Sequence, residues 1–134
     1  MKPVCLVIGA GAGIGGNVAR LFALEGYHSV LCRRSDEDGL ARMIEAIKSE
    51  GGSASGFLLN AIEDDAIENA VASVEAEIGP IEAVVFNLRA QIGDRTLAST
   101  SYKQFEMGWR LATFALFRLA STVCPLMGCL LYTS

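Results

Sequence analysis

Between an apolar run at residues 4–8 and a helical pattern that starts at Ile14 lies Gly9-Ala10-Gly11-Ala12-Gly13-Ile14-Gly15-Gly16. A turn with so few side chains lets the main chain reverse tightly and lets a ligand come up against the backbone. The helix behind it aims unpaired N–H groups and its positive dipole end at the same spot, which suits a pyrophosphate. The candidate contacts are Gly9, Gly13, Ile14 and Gly15. Glycine spacing alone is weak evidence, but here a strand precedes it, a helix follows and a second strand closes the unit. The plainer alternative is a turn that only packs helix against sheet. Eighteen residues past Gly15 stand Arg33 and Arg34, where an NAD-selective site carries an acid for the ribose hydroxyl. Guanidinium groups there match a 2′-phosphate, so NADP is the expected cofactor and NAD the less favoured one. The alternative for the two arginines is a solvated strand end. Asp36, close by, is better explained as a helix cap than as a ribose ligand.

Strands are expected at residues 4–8, 29–32, 55–59 and 83–86, each a short apolar run. Between them run helical patterns. The first carries Val18, Leu21 and Phe22 and stops at Gly26; the second carries Leu40, Met43, Ile44 and Ile47 and stops at Gly51-Gly52. Ser35 to Asp38 reads as a capping box for the second, with Ser35 accepting from the helix start and Asp38 reaching back. A third helix has Ile67, Val71, Val74 and Ile78 on one face, with Glu63, Asp64 and Asp65 expected in its first turn, where the dipole favours them. In a long fourth helix Phe105, Trp109, Ala112, Leu116, Leu119 and Val123 form one stripe. Alternating strands and helices predict an α/β fold with a parallel sheet and right-handed crossovers. In a four-stranded sheet of order 3-2-1-4 the fourth strand leaves an apolar edge unpaired. The last helix is then expected to expose a patch around Trp109 and Leu116.

The 134 residues are 51% apolar and 19% charged, which fits one globular domain with a core. A net charge of −4 and a pI near 4.9 give no reason to expect nucleic-acid or anionic-membrane partners. Cys5, Cys32, Cys124 and Cys129 form no CxxC pair and His28 has no partner at ligand spacing, so no metal site is expected. Unpaired thiols point to a cytoplasmic setting. The N-terminal run could mimic a signal peptide, but its glycines would weaken the helix a signal needs. The apolar run at residues 111–127 holds Arg118 and reaches Pro125, too short for a membrane span.

With Gly9-x3-Gly13-x-Gly15, Arg33-Arg34 and Phe86-Asn87, the chain resembles the short-chain dehydrogenase/reductase family. The resemblance runs to about Met127 and implies the cofactor-binding part of a Rossmann-like domain. Ile8 stands where that family has threonine before the glycines, and its Asn-Ala-Gly element is here Asn87-Leu88-Arg89. The resemblance implies a cofactor contact for Asn87. It places Asn60 where the family often has an aspartate facing the adenine amine; an amide oxygen can accept that bond, and the alternative is a turn residue. The family moves a hydride between cofactor and a carbonyl or alcohol, using a tyrosine with a lysine four residues on. Tyr102 has Glu106 at that distance, no YxxxK exists in the chain, and Ala112 stands where the family has a helix asparagine, so no catalytic residue is assigned.

Residues 1–128 are therefore expected to be a partial NAD(P)-binding domain. The final string CLLYTS, residues 129–134, resembles translated sequencing-adaptor read-through, which implies a longer gene product. Three readings follow: the cofactor half of an NADP-dependent oxidoreductase, a non-catalytic NADP(H)-binding sensor or interaction module, and a non-functional truncation. The small-molecule substrate is undefined; Gln91, Asp94 and Arg95 are the polar members of a loop that could line its crevice. The face with Phe105, Trp109 and Leu116 is where related proteins often pair, so a homo-oligomer is an open expectation.

Overall fold

The computed structural model describes residues 2–88 and 96–127. Strands β1 (Val4–Ile8), β2 (His28–Arg33), β3 (Ser53–Leu58) and β4 (Ile81–Phe86) form one parallel sheet in the order β3-β2-β1-β4. This is the α/β architecture that the alternation predicts. β2, β3 and β4 each start one or two residues earlier than their apolar runs, because backbone pairing extends beyond the buried side chains. β1 pairs on both sides, and all five of its residues are buried.

Alternate β1 side chains enter two separate cores, as the strand period of two requires. Val4, Leu6 and Ile8 join Val30 and Cys32 on the face covered by α3 (Ala66–Glu77) and by a long C-terminal helix. Cys5 and Val7 join Leu31 and Ala54 on the face covered by α1 (Ile14–Leu24) and α2 (Glu37–Ser49). Both layers are needed to hold the carboxyl ends of β1, β2 and β4 level with the start of α1.

Four local expectations are corrected. α1 does not bury the stripe of Val18, Leu21 and Phe22; it buries Gly15, Ala19 and Ala23, and Leu21 is 56% exposed. Small residues let the helix axis approach the sheet closely, so the large side chains are pushed to its flanks. α2 is capped by Asp36, not Ser35: the Asp36 carboxylate accepts from Gly39 N at 3.0 Å, and the predicted capping box does not form. Glu63, Asp64 and Asp65 precede α3 and lie outside its first turn, which holds only Glu68 as an acid. The turn at residues 61–65 uses those positions to leave β3 before the helix begins.

The long helix is three segments: α4 (Tyr102–Trp109), a π-helical turn (Arg110–Phe114) and α5 (Ala115–Met127). A capping box opens it, with Ser101 Oγ accepting from Gln104 N and Gln104 Oε1 accepting from Ser101 N. The wide π turn breaks the 3.6-residue period. The buried stripe is accordingly Ala115, Leu119 and Val123, whereas Phe105, Trp109 and Leu116 are exposed. The patch expected around Trp109 and Leu116 is present. By length and composition Tyr102–Met127 could cross a membrane. Here α5 packs on α3 and the sheet. Arg118 anchors it: its guanidinium donates to both Glu68 carboxylate oxygens, at 2.7 and 3.1 Å, and to the carbonyls of Ala61 and Glu63.

His28 ties β2 to β3 at their amino ends: Nδ1 lies 2.6 Å from Ser53 Oγ and Nε2 lies 2.8 Å from Ser55 Oγ. Burial, followed by the charges of Lys2 and Lys48, holds its pKa below the ordinary 6.5. The unfolded chain therefore takes up this proton first as pH falls. Stability is expected to decline as pH drops below about 6.5 and to be level above it. Urea unfolding across pH 5 to 8 checks this: His28→Asn should flatten that part of the profile, and an unchanged slope would contradict the assignment.

Candidate functional site

At the end of β1 the chain turns at Gly9, where the N–H groups of Gly9 and Ala10 both donate to the Cys32 carbonyl at 2.9 Å. Gly9 has φ +95°, and a Cβ there would overlap the backbone carbonyl of Asn87. Asn87 follows β4 and is tied to β1, its N–H donating to Ile8 O at 2.8 Å and its side-chain amide to Gly9 O at 3.3 Å. Gly15 sits on the other side of the turn, where a Cβ would lie 2.9 Å from Ala10 Cα and overlap the Gly9 carbonyl. These two glycines are required by close packing alone.

Gly13 is different. A Cβ built on it meets nothing within 4 Å, so packing gives no reason for its bareness. It is the N-cap of α1 and offers no side-chain bond to the first turn. Gly16 N bonds Gly11 O and Asn17 N bonds Gly13 O, and among the described residues no group accepts from the N–H of Ile14 or Gly15. A helix start with free donors and open space in front of it can take an anion.

The open space is a cleft of about 420 Å³ lined by Gly9, Gly11, Ala12, Gly13, Ile14, Arg33, Arg34, Ser35, Asn87 and Leu88. Arg33 ends β2 and Arg34 follows it, so strand pairing brings two guanidinium groups to the rim opposite the helix start. Six of the eight expected residues, Gly9, Gly13, Ile14, Arg33, Arg34 and Asn87, thus share one cleft. Gly15 lies behind it as packing. Asn60 does not line it: its side-chain oxygen receives Ile62 N at 3.4 Å and its carbonyl receives Glu63 N, the contacts of a turn residue. Gly11, Ala12, Ser35 and Leu88 line the cleft without having been singled out. The signal for Ser35 was obscured by its assignment as the cap, a task that Asp36 performs. Arg89, Gln91, Asp94, Arg95 and the tail at 129–134 lie outside the described residues.

A larger cavity, about 680 Å³, lies between the turn before α3 and the long helix. Asp64, Asp65, Glu68 and Glu106 outnumber Arg110 and Arg118 in its lining, and those arginines are paired with Glu106 and Glu68, so it is a poorer place for a pyrophosphate. Burial pushes the Cys5 thiol up to about 11 and that of Cys32 to about 12, so neither serves as a thiolate near neutrality.

A family model described as short chain dehydrogenase matches residues 3–129. The 2,3-dihydro-2,3-dihydroxybenzoate dehydrogenase of Bacillus subtilis is 27% identical over 124 residues, which make up 92% of this chain and 47% of that protein. The crystal structure of a short-chain dehydrogenase from Rhodopseudomonas palustris is 29% identical with a TM-score of 0.86, covering 95% of this chain and 58% of that one. L-sorbose reductase from Gluconobacter frateurii, complexed with NADPH and L-sorbose, is 26% identical with a TM-score of 0.84, covering 96% and 48%. The chain spans about half the length of these relatives.

Proposed function

Because the chain belongs to the short-chain dehydrogenase/reductase family, we propose that it is the cofactor-binding part of an NADP(H)-dependent oxidoreductase acting on a carbonyl or alcohol substrate. What carries the reading is the meeting of Arg33, Arg34 and the bare turn in a single cleft. The free N–H groups at the start of α1 would hold the pyrophosphate, and the two guanidinium groups would hold the 2′-phosphate. Asn87 would lie near the nicotinamide side, at the carboxyl end of β4 and beside the crossing point of the strand order. When bound, the nicotinamide supplies or accepts the hydride. The protonated, unpaired thiols of Cys5 and Cys32 agree with a cytoplasmic, reducing location.

Fluorescence titration with NADPH and NADH tests the cofactor assignment. Arg33→Ala and Arg34→Ala should each weaken NADPH binding about tenfold, the worth of a charge-assisted contact at a partly exposed site, and barely change NADH binding. Equal losses for the two cofactors, or none, would remove the assignment. One observation favours a second reading, a non-catalytic NADP(H) sensor. Ala112, at the place of the family's helix asparagine, lies half-buried in the π turn and has no polar group to offer. Turnover of NADPH by the intact gene product, with a YxxxK in its sequence, separates the two.

A further inference from the structure

Asp36 occupies the left-handed region, φ 66° and ψ 67°, which Asp tolerates better than most L-residues. Its carboxylate is shared. Oδ1 accepts from Gly39 N as the cap of α2, while Oδ2 lies 3.7 Å from a terminal nitrogen of Arg33. Gly39 stands in the first turn of α2, directly under the cap. A Cβ at Gly39 would lie 2.9 Å from the same Arg33 nitrogen and 2.8 Å from Asp36 Cγ, driving the two groups apart. Asp is an ordinary cap, and a Cβ at Gly39 would overlap its Oδ2, so glycine at 39 clears the capping carboxylate and the guanidinium beside it at once. Both positions meet at one contact.

That contact is long and exposed, so its small worth also bounds what it can contribute by holding Arg33. Its effect is on freedom. A free arginine side chain samples many rotamers and loses them on binding an anion; one already held on one edge loses fewer. We propose that Asp36 is a positioning residue for cofactor selection: with Gly39 as clearance, it latches Arg33 against the first turn of α2, leaving the rest of the guanidinium turned to the cleft for the 2′-phosphate. Arg34 has no such partner among the described residues. The inference rests on the reading of Arg33 as a phosphate ligand. It sets the opposing effect, repulsion between the Asp36 charge and the phosphate, as the smaller one, because the Asp36 side chain is 52% exposed and water screens it.

The test is NADPH and NADH titration of the intact protein carrying Asp36→Asn, Gly39→Ala or Arg33→Ala. Asparagine tolerates the left-handed region and can still cap Gly39, so Asp36→Asn removes the charge and keeps the helix start. The NADPH-to-NADH affinity ratio should fall about two- to fivefold in Asp36→Asn, the most that an exposed ion pair can contribute, with an unchanged melting temperature. Gly39→Ala should lower the same ratio by a different route, and it serves alone if the asparagine variant melts early. A ratio that stays level or rises in both variants, while Arg33→Ala lowers it, overturns the latch and leaves Arg33 as a ligand. A ratio that Arg33→Ala itself fails to lower overturns the phosphate reading, and the latch falls with it.

Discussion

Gly9→Ala is expected to destabilise the fold by about 3–5 kcal/mol, a large part of the 5–15 kcal/mol that holds a domain together. Two penalties combine. Alanine at φ +95° is strained by about 1–2 kcal/mol, and the added methyl meets the carbonyl of Asn87, whose C atom would be 2.7 Å away. The obstruction is backbone, held on the other side by the Asn87 N–H bond to Ile8, so no side chain can swing aside. Urea unfolding should show a midpoint lowered by more than about 1 M. Gly13→Ala is the informative contrast: the added methyl meets nothing within 4 Å, so the midpoint should fall less than for Gly9→Ala. NADPH binding should suffer instead, because the methyl enters the cleft. If both variants unfold alike, the division between packing glycines and open glycines is wrong.

The second large effect belongs to Arg118→Ala, expected to cost about 3 kcal/mol. Its side chain is only 12% exposed and donates to Glu68 and to two carbonyls of the turn before α3. Truncation leaves those carbonyls and a carboxylate without their donor, and it removes the cation 6.0 Å above the Phe114 ring. Lysine keeps the charge but cannot reach three acceptors from one planar fork, so Arg118→Lys should recover less than half of the loss. The pair also has an acid signature. The Arg118 hydrogen bond holds the Glu68 carboxyl below its ordinary pKa, so its contribution is present above about 4.5 and fades as pH falls through the lower folded value. Arg118→Ala should lose that acid-side slope. A variant as stable as the parent, or one with the slope intact, contradicts this account.

The sheet order, the two-faced burial of β1 and the cleft between Gly13 and Arg33 were all legible in the sequence, because they follow from strand period and from glycine placed between strand and helix. What was not legible depended on neighbours. Leu21 looks like a core residue by helical spacing, yet Ala19 and Ala23 win that face because they let α1 approach the sheet more closely. Ser35 and Asp36 are equally good caps by type, and only the backbone path out of β2 decides between them. The π turn at Arg110–Phe114 has no period of its own, so the expected stripe holds at Leu119 and Val123 after it but takes in Phe105, Trp109 and Leu116, which are exposed, and misses Ala115. Asn60 stands after β3 where the family position falls, and its side-chain contacts lie within its own turn.

The carbonyl end of β2 accepts from Gly9, which also presses against the end of β4 and terminates β1, so three adjacent strands meet at a single residue. The floor of the cleft is thereby also the seam of the domain. Descendants of this chain could explore new anions only by changing the outer lip, at Arg33, Arg34 and Ser35, since any drift in the floor is filtered by folding before it is ever tested by a ligand.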